Sequence, residues 1–227
     1  MNKNAVLSLS GGIDSATTLA WLLMNSYKVH AVSFYYGSKH NEYENKSAKK
    51  IAHHYNIPLI EINLAQTMKD FKSALLLTGN DIPEGHYADK SMQQTVVPAR
   101  NIIFLSVLAG YAESINADSV ATGIQQGYDT IYPDCRKEFL KAMDLSIYLG
   151  TDKKVQLVTP FVDADKATIV QWGLKNNVPY HLTRTCFKNQ DTACGKCGSC
   201  VKRLEAFFLN GTTDPLVYEV NYVRTIF

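Results

Sequence analysis

No uninterrupted run in the 227 residues approaches the ~18 apolar residues that a membrane-spanning helix needs. The longest candidate, residues 102–112, lies between Arg100 and Glu113 and is broken by Ser106 and Gly110, which makes it a core helix and not a span. An excess of either charge is also missing: 23 Lys plus Arg against 21 Asp plus Glu leave a net +2. That balance supplies no strong field for nucleic acid or an anionic membrane, so neither is expected as a direct partner. Residues 1–9 hold one lysine and too short an apolar run before Ser10-Gly11-Gly12 to read as a secretory leader. Five cysteines, an odd number with three packed between Cys194 and Cys200, do not make a secreted disulfide framework. The expected location is therefore cytoplasmic. Internal repeats and low-complexity tracts are absent too. What is present, 46% hydrophobic and 19% charged residues, is ordinary for a folded chain that buries a real core.

The first sixty residues alternate between two periodicities. Short β-rich runs at 5–9, 29–34 and 59–64 are separated by helical stretches at 16–24 and 41–55, the second amphipathic through Ala48, Ile51, Ala52 and Tyr55. Strand, helix, strand, helix, strand at this spacing implies right-handed crossovers and a parallel sheet. Further helices are expected at 101–115, 136–149, 166–176 and 201–209, and further strands at 119–123 and 155–159. Residues 79–98 form a long aperiodic loop, and 123–134 a polar loop at the carboxyl end of a strand, where open α/β sheets bind ligands. The cysteine-rich stretch is the one plausible boundary and divides the chain into 1–180 and 181–227.

Three motifs carry chemistry. Ser10-Gly11-Gly12-Ile13-Asp14-Ser15 follows the first strand and opens a helix. Its glycines let a polyanion approach the backbone, and the helix N-terminus favours negative charge. The plainer reading is a strand-to-helix turn capped by Asp14 or Ser10. With no Gly-Lys-Ser/Thr ending it is not a Walker A loop. A branched side chain at Gly11 is expected to block the phosphates with the fold retained. Next, Cys186, Cys194, Cys197 and Cys200 have the spacing of a closed four-thiolate zinc site. An iron–sulfur cluster uses similar spacing, but the Gly-rich turns and the missing closing Cys-Pro favour zinc. Finally, Tyr132-Pro133-Asp134-Cys135-Arg136 starts a helix. Asp134 is either a cap or an acceptor for the N–H edge of a guanine-like base, and Arg136 could hold a carboxylate. Tyr132 or Phe139 could stack on a flat heterocycle, and Cys135 reads as packing in preference to a nucleophile.

The Ser-Gly-Gly-x-Asp-Ser loop resembles that of the N-type ATP pyrophosphatases. The whole chain is similar to the 7-cyano-7-deazaguanine synthase (QueC) family through that loop, Tyr36-Gly37 with His40 and Glu42, Val97 to Asn101, Tyr132 to Arg136 with Phe139, Thr159-Pro160, Lys166, the four cysteines and Arg203. Ser38-Lys39 and Thr130-Ile131 depart from the family pattern. The resemblance implies a Rossmann-like, HUP-type α/β fold with an ATP-pyrophosphatase body and a small C-terminal zinc-binding subdomain. It implies a C–N bond-forming ligase that takes 7-carboxy-7-deazaguanine, ammonia and ATP to the nitrile, through an amide, in queuosine biosynthesis. ATP would sit on Leu9, Ser10, Gly11, Gly12, Ile13, Asp14 and Ser15, escorted by Mg²⁺, with one structural Zn²⁺ per chain. Asp14 and Arg100 are candidate catalytic residues, and Tyr132, Asp134 and Arg136 candidate base-binding residues. A homodimer is left open. A tRNA-thiolating pyrophosphatase shares the loop but should carry a basic stripe or an added RNA-binding domain. A zinc-stapled nucleotide-binding module without catalysis is the other alternative.

Overall fold

In the computed structural model, which describes residues 3–86, 89–126, 131–152 and 154–220, five parallel strands lie in the order β3-β2-β1-β4-β5. In chain order the elements are β1 (Lys3–Ser8), α1 (Ile13–Met24), β2 (Tyr27–Tyr35), α2 (Asn41–His54), β3 (Leu59–Asn63), a single turn α3 (Ala65–Met68), α4 (Arg100–Ser114), β4 (Ser119–Ala121), α5 (Lys137–Gly150), β5 (Gln156–Val158), α6 (Lys166–Lys175) and α7 (Gly198–Leu209). The expected elements therefore form, with boundaries shifted by one to three residues. The 79–98 loop contains one feature that the sequence pattern did not show, a 3-10 segment at Lys90–Thr95.

Ala5, Val6 and Leu7 are fully buried because β1 is the central strand and both its faces are covered. On one face Leu7 and Leu9 pack with Ala16 and Leu19 of α1, Ile51 of α2, Ile169 of α6 and Phe207 of α7. On the other Val6 and Val120 pack with Leu105 and Leu108 of α4 and with Leu140 and Ile147 of α5. The apolar character of α4 is thus that of a core helix.

This strand order places a topological switch between β1 and β4. Their carboxyl ends open into a crevice, because the chain leaves β1 toward one side of the sheet and enters β4 from the other. The segment after 180 closes the crevice. Arg203, 1% exposed, is the staple: Nε donates to Asp214 Oδ2 at 2.5 Å, Nη2 donates to Asp214 Oδ1 at 2.9 Å and to the Tyr180 carbonyl, and Nη1 donates to the Thr183 and Thr185 hydroxyls. Tyr218 donates to the same carboxylate at 2.6 Å, which ties the tail to α7.

Candidate active site

The loop after β1 is held from three sides. Gly11 has φ +84, and a Cβ there would lie 2.5 Å from the Glu44 carbonyl and 2.8 Å from the Ala48 nitrogen. Its freedom is therefore spent on close packing against α2, and the expectation that a branched residue at 11 would leave the fold intact is corrected. Gly12 is the open position, where a Cβ would meet nothing closer than 3.5 Å. Gly123, after β4, presses against the first turn of α1, and a Cβ on it would come within 2.7 Å of the Asp14 carbonyl carbon. The Ser10 and Ser15 hydroxyls lie 3.2 Å apart, and Ser15 Oγ also donates to the Gly12 carbonyl. No side chain caps α1, so its first N–H groups are available to an anion. Leu9 and Ile13 have buried side chains and offer the loop only their backbone.

A cavity of about 260 Å³ opens from this loop. Ser10, Gly12, Asp14 and Ser15 line it together with Lys166 of α6 and with Ser199 and Lys202 of α7. Lys166 Nζ donates to Asp14 Oδ1 at 2.6 Å and also to Oδ2, and burial lowers its pKa against the pull of that carboxylate. The wall also includes Tyr36, His40 and Glu44 around the start of α2, Arg100 and Phe104 of α4, Tyr132 and Cys135, and Arg184 with Phe187. The flat walls are set by aromatic contacts: His40 lies 5.3 Å from Phe187, and Tyr36 meets Phe104 edge-on at 5.3 Å.

Burial dominates the titration of this wall. His40 is pushed down to about 3 by burial, with Arg100 and Arg184 adding to the effect. Glu44 is pushed up to about 8 by burial, although the same two guanidinium groups oppose the shift. His40 Nε2 and Glu44 Oε2 are 3.5 Å apart.

The 132–136 run divides. Tyr132 reaches the cavity, and its hydroxyl is 2.5 Å from Thr95 Oγ1. Asp134 is buried off the cavity, where its Oδ2 accepts the Asn101 N–H at 2.9 Å and its carbonyl accepts Asn101 Nδ2 at 3.0 Å. It acts as a cap, but for α4, the helix that carries Arg100. Arg136 is exposed and outside the cavity lining, and Phe139 packs into the α4–α5 core. Burial pushes the Cys135 thiol up to about 11 and its sulfur accepts from Asn101 Nδ2, which favours the packing role over a nucleophile.

Sequence reasoning singled out Tyr36, His40 and Lys166 only as parts of a resemblance and passed over Glu44, Arg184, Ser199 and Lys202, whereas Gly123 opens the 123–134 loop expected at the ligand-binding edge of the sheet. At the Ser38-Lys39 departure Lys39 Nζ donates to the Gly79 and Asn80 carbonyls, whereas Ser38 gives only its backbone N–H, which Asn41 Oδ1 accepts together with that of Tyr36 at 2.9 Å each. Thr130, in the other departure, lies outside the described residues.

Cys186, Cys194, Cys197 and Cys200 are all buried, with sulfurs within 4.8 Å of one another. A tetrahedral ion with Zn–S bonds of ~2.3 Å needs sulfurs about 3.8 Å apart, so the set fits with small adjustments. The N–H groups of Lys188, Cys194 and Cys197 point at Cys186 and Cys194 sulfurs at 3.3–3.4 Å, which favours thiolates. The residues present suit a four-coordinate, closed metal site.

The comparisons with known proteins agree with this geometry. The model of the family "Queuosine biosynthesis protein QueC" matches residues 4–211. A 7-cyano-7-deazaguanine synthase of Archaeoglobus fulgidus is 43% identical over 98% of this chain and 93% of its own. The protein of the same name from Caldicellulosiruptor saccharolyticus is 43% identical over 95% and 96%. Among solved structures, the U34-tRNA thiolase NcsA of Methanococcus maripaludis with its [4Fe-4S] cluster superposes with a TM-score of 0.52 at 18% identity, over 90% of this chain and 64% of that one, just under two thirds. The NMN synthetase of Francisella tularensis gives 0.50 at 16% identity, over 93% and 79%. These structural likenesses show the fold alone, a parallel α/β sheet with helices on both faces. The chain belongs to the QueC family of queuosine biosynthesis enzymes.

Proposed function

We propose that this chain converts 7-carboxy-7-deazaguanine, ammonia and ATP to 7-cyano-7-deazaguanine. The observation that carries the reading is a single cavity that joins an anion-binding loop to a guanidinium-lined aromatic wall. A carboxylate is a poor electrophile, so its oxygen must first be converted to a phosphate-bearing leaving group. Ser10, Gly12, Ser15 and the α1 N-terminus hold the phosphates, and Lys166 and Lys202 offset the charge that develops there. Asp14, on release from Lys166, would be the carboxylate ligand of the Mg²⁺ that escorts the phosphates. Arg100 orients the acid, and Tyr36, Phe104, Tyr132 and Phe187 enclose the flat ring. Asp134 serves the base indirectly by fixing the start of α4, and Arg136 has no part in the pocket as it stands. Ammonia displaces the activated oxygen to give the amide, and a second activation of the amide oxygen leaves the nitrile. The same positioned groups serve both rounds.

Zn²⁺ on Cys186, Cys194, Cys197 and Cys200 would act by holding residues 181–227 against the 1–180 body, since four thiolates leave no open position for chemistry. The reaction needs no membrane or nucleic acid and suits the cytoplasm. Mass spectrometry of products from the acid, ammonium and ATP tests the reading: nitrile, with the amide as a transient, is expected. Product formation only when tRNA is supplied would replace it with the thiolation class.

A further inference from the structure

The geometry points to Glu44 as the residue that reads the base: its carboxylate accepts the N–H donors of a guanine-type edge, namely the ring amide and the 2-amino group. This rests on the proposed function and names the group that selects its substrate.

Among the described residues two acids line the cavity, and one is already engaged. Asp14 is tied to Lys166 through both oxygens. Asp134, the acid that the sequence offered for this task, is spent on Asn101 and lies outside the cavity. Glu44 remains. It lines the cavity beside the His40 and Phe187 rings, and its one ion-pair-range neighbour is His40 Nε2 at 3.5 Å. Arg100 and Arg184 lower its pKa from a distance, but neither comes within ion-pair reach of it. The wall therefore presents an acceptor flanked by flat rings, with two guanidinium groups farther off. A carboxylated deazaguanine presents the complement: a flat ring with adjacent N–H donors at one edge and a carboxylate at the other. Reading the molecule in this orientation leaves Arg100 for the reacting carboxylate and gives Glu44, half-buried and protonated before the base binds, the N–H donors that favour its ionised form once the base is bound. The His40 imidazole, kept neutral by burial, lies 3.5 Å from the Glu44 carboxyl and does not compete with the base for its charge.

The test compares wild type with Glu44→Gln, which is close to isosteric. Each is titrated by calorimetry with 7-carboxy-7-deazaguanine and with its analogue lacking the 2-amino group, and ATP binding is measured without base. Wild type is expected to prefer the 2-amino compound by about 5- to 150-fold, the range for one buried polar partner lost. In Glu44→Gln that preference should fall below about 3-fold with ATP affinity unchanged. Glu44→Asp, which keeps the acceptor but retracts it, should bind more weakly and retain the preference. A full preference in Glu44→Gln, no preference in wild type, or no binding of either compound to wild type overturns the assignment. If the acid binds wild type with the 2-amino preference but is never converted with ATP and ammonium, the proposed reaction fails while the Glu44 assignment stands on the binding ratio.

Discussion

The backbone N–H of Arg184 donates to the Gly11 carbonyl at 2.8 Å, so the loop after β1 is held by the segment that carries the cysteines. The side chain of the same arginine reaches the other way. Its guanidinium donates to the carbonyls of Lys188, Gln190 and Asp191 and lies 4.5 Å over the Tyr43 ring. Those three carbonyls belong to the chain between Cys186 and Cys194. One residue thus spans the four-cysteine cluster, α2 and the loop after β1, and ties the shape of the cavity to the cysteine segment.

Metal removal should therefore weaken nucleotide binding before it abolishes the fold. Structural zinc typically contributes on the order of 10 kcal/mol of apparent binding free energy. Cys194→Ser is expected to bind less than one metal per chain, melt at lower temperature and lose ATP affinity, while Ala5, Val6 and Leu7 keep their sheet. Elemental analysis with calorimetry checks this. Iron with a charge-transfer band would assign the thiolates to a cluster, and unchanged ATP affinity in the metal-free chain would break the link through Arg184.

The two loop glycines should separate by mechanism. Gly11→Val meets α2 backbone at a position with φ +84, so it is expected to fail to fold or to lose several kcal/mol. Gly12→Ala has room on the protein side and puts its methyl toward the cavity; it should melt within a few degrees of wild type and bind ATP more weakly. Equal melting temperatures for the two variants would contradict this division.

Much of this was legible in local sequence. Strand and helix periodicity gave the α/β class, and the four cysteines announced themselves because their spacing is itself the chemistry. The cavity wall was harder to read for a physical reason. Glu44 sits in the first turn of an amphipathic helix whose pattern explains it as a surface residue, with His40 just before that helix, and only the crossover from β2 shows that this end of the helix faces the crevice. Asp134 misled in the opposite sense. Acid after proline at a helix start signals a cap, but the helix it caps is 33 residues earlier in the chain, a pairing that no local pattern encodes. Arg184 and Lys202 come from segments whose place is fixed by the cysteines and by the Arg203–Asp214 pair, both long-range constraints.

Asp134→Ala should cost stability and, through Arg100, turnover. It leaves the buried Asn101 N–H unpaired at the second position of α4, and losses of this kind run to about 1–3 kcal/mol. Arg100→Lys keeps the charge, leaves the cap intact and should lower kcat/KM with little change in melting temperature. If Asp134→Ala lowers the melting temperature but leaves kcat/KM at the wild-type value, the cap does not position the arginine.

The His40–Glu44 pair makes stability depend on pH in a direction opposite to that of most carboxylates. Glu44 is faced by His40 just before its own helix, Tyr36 just after β2, Arg100 of α4 and Arg184 of the cysteine segment, and burial raises it from 4.5 to about 8. Between those values the folded chain holds a proton that the unfolded chain has lost, so this contribution is full below pH 4.5 and is lost as pH rises through 8. His40 works the other way from about 3 to 6.5, where the unfolded chain binds the extra proton and stability rises with pH. The two offset each other between 4.5 and 6.5, which leaves 6.5 to 8 as the window where Glu44 acts alone. At up to ~1.4 kcal/mol per pH unit, the loss across that window is at most about 2 kcal/mol. For a chain of this size that corresponds to roughly 4–8 °C in melting temperature. Glu44→Gln should match wild type near pH 5 and melt higher than wild type at pH 8.5. Melting curves at both values check it: a wild-type chain that gains stability from pH 6.5 to 8.5, or a glutamine variant that tracks it, would show that Glu44 ionises freely in the fold.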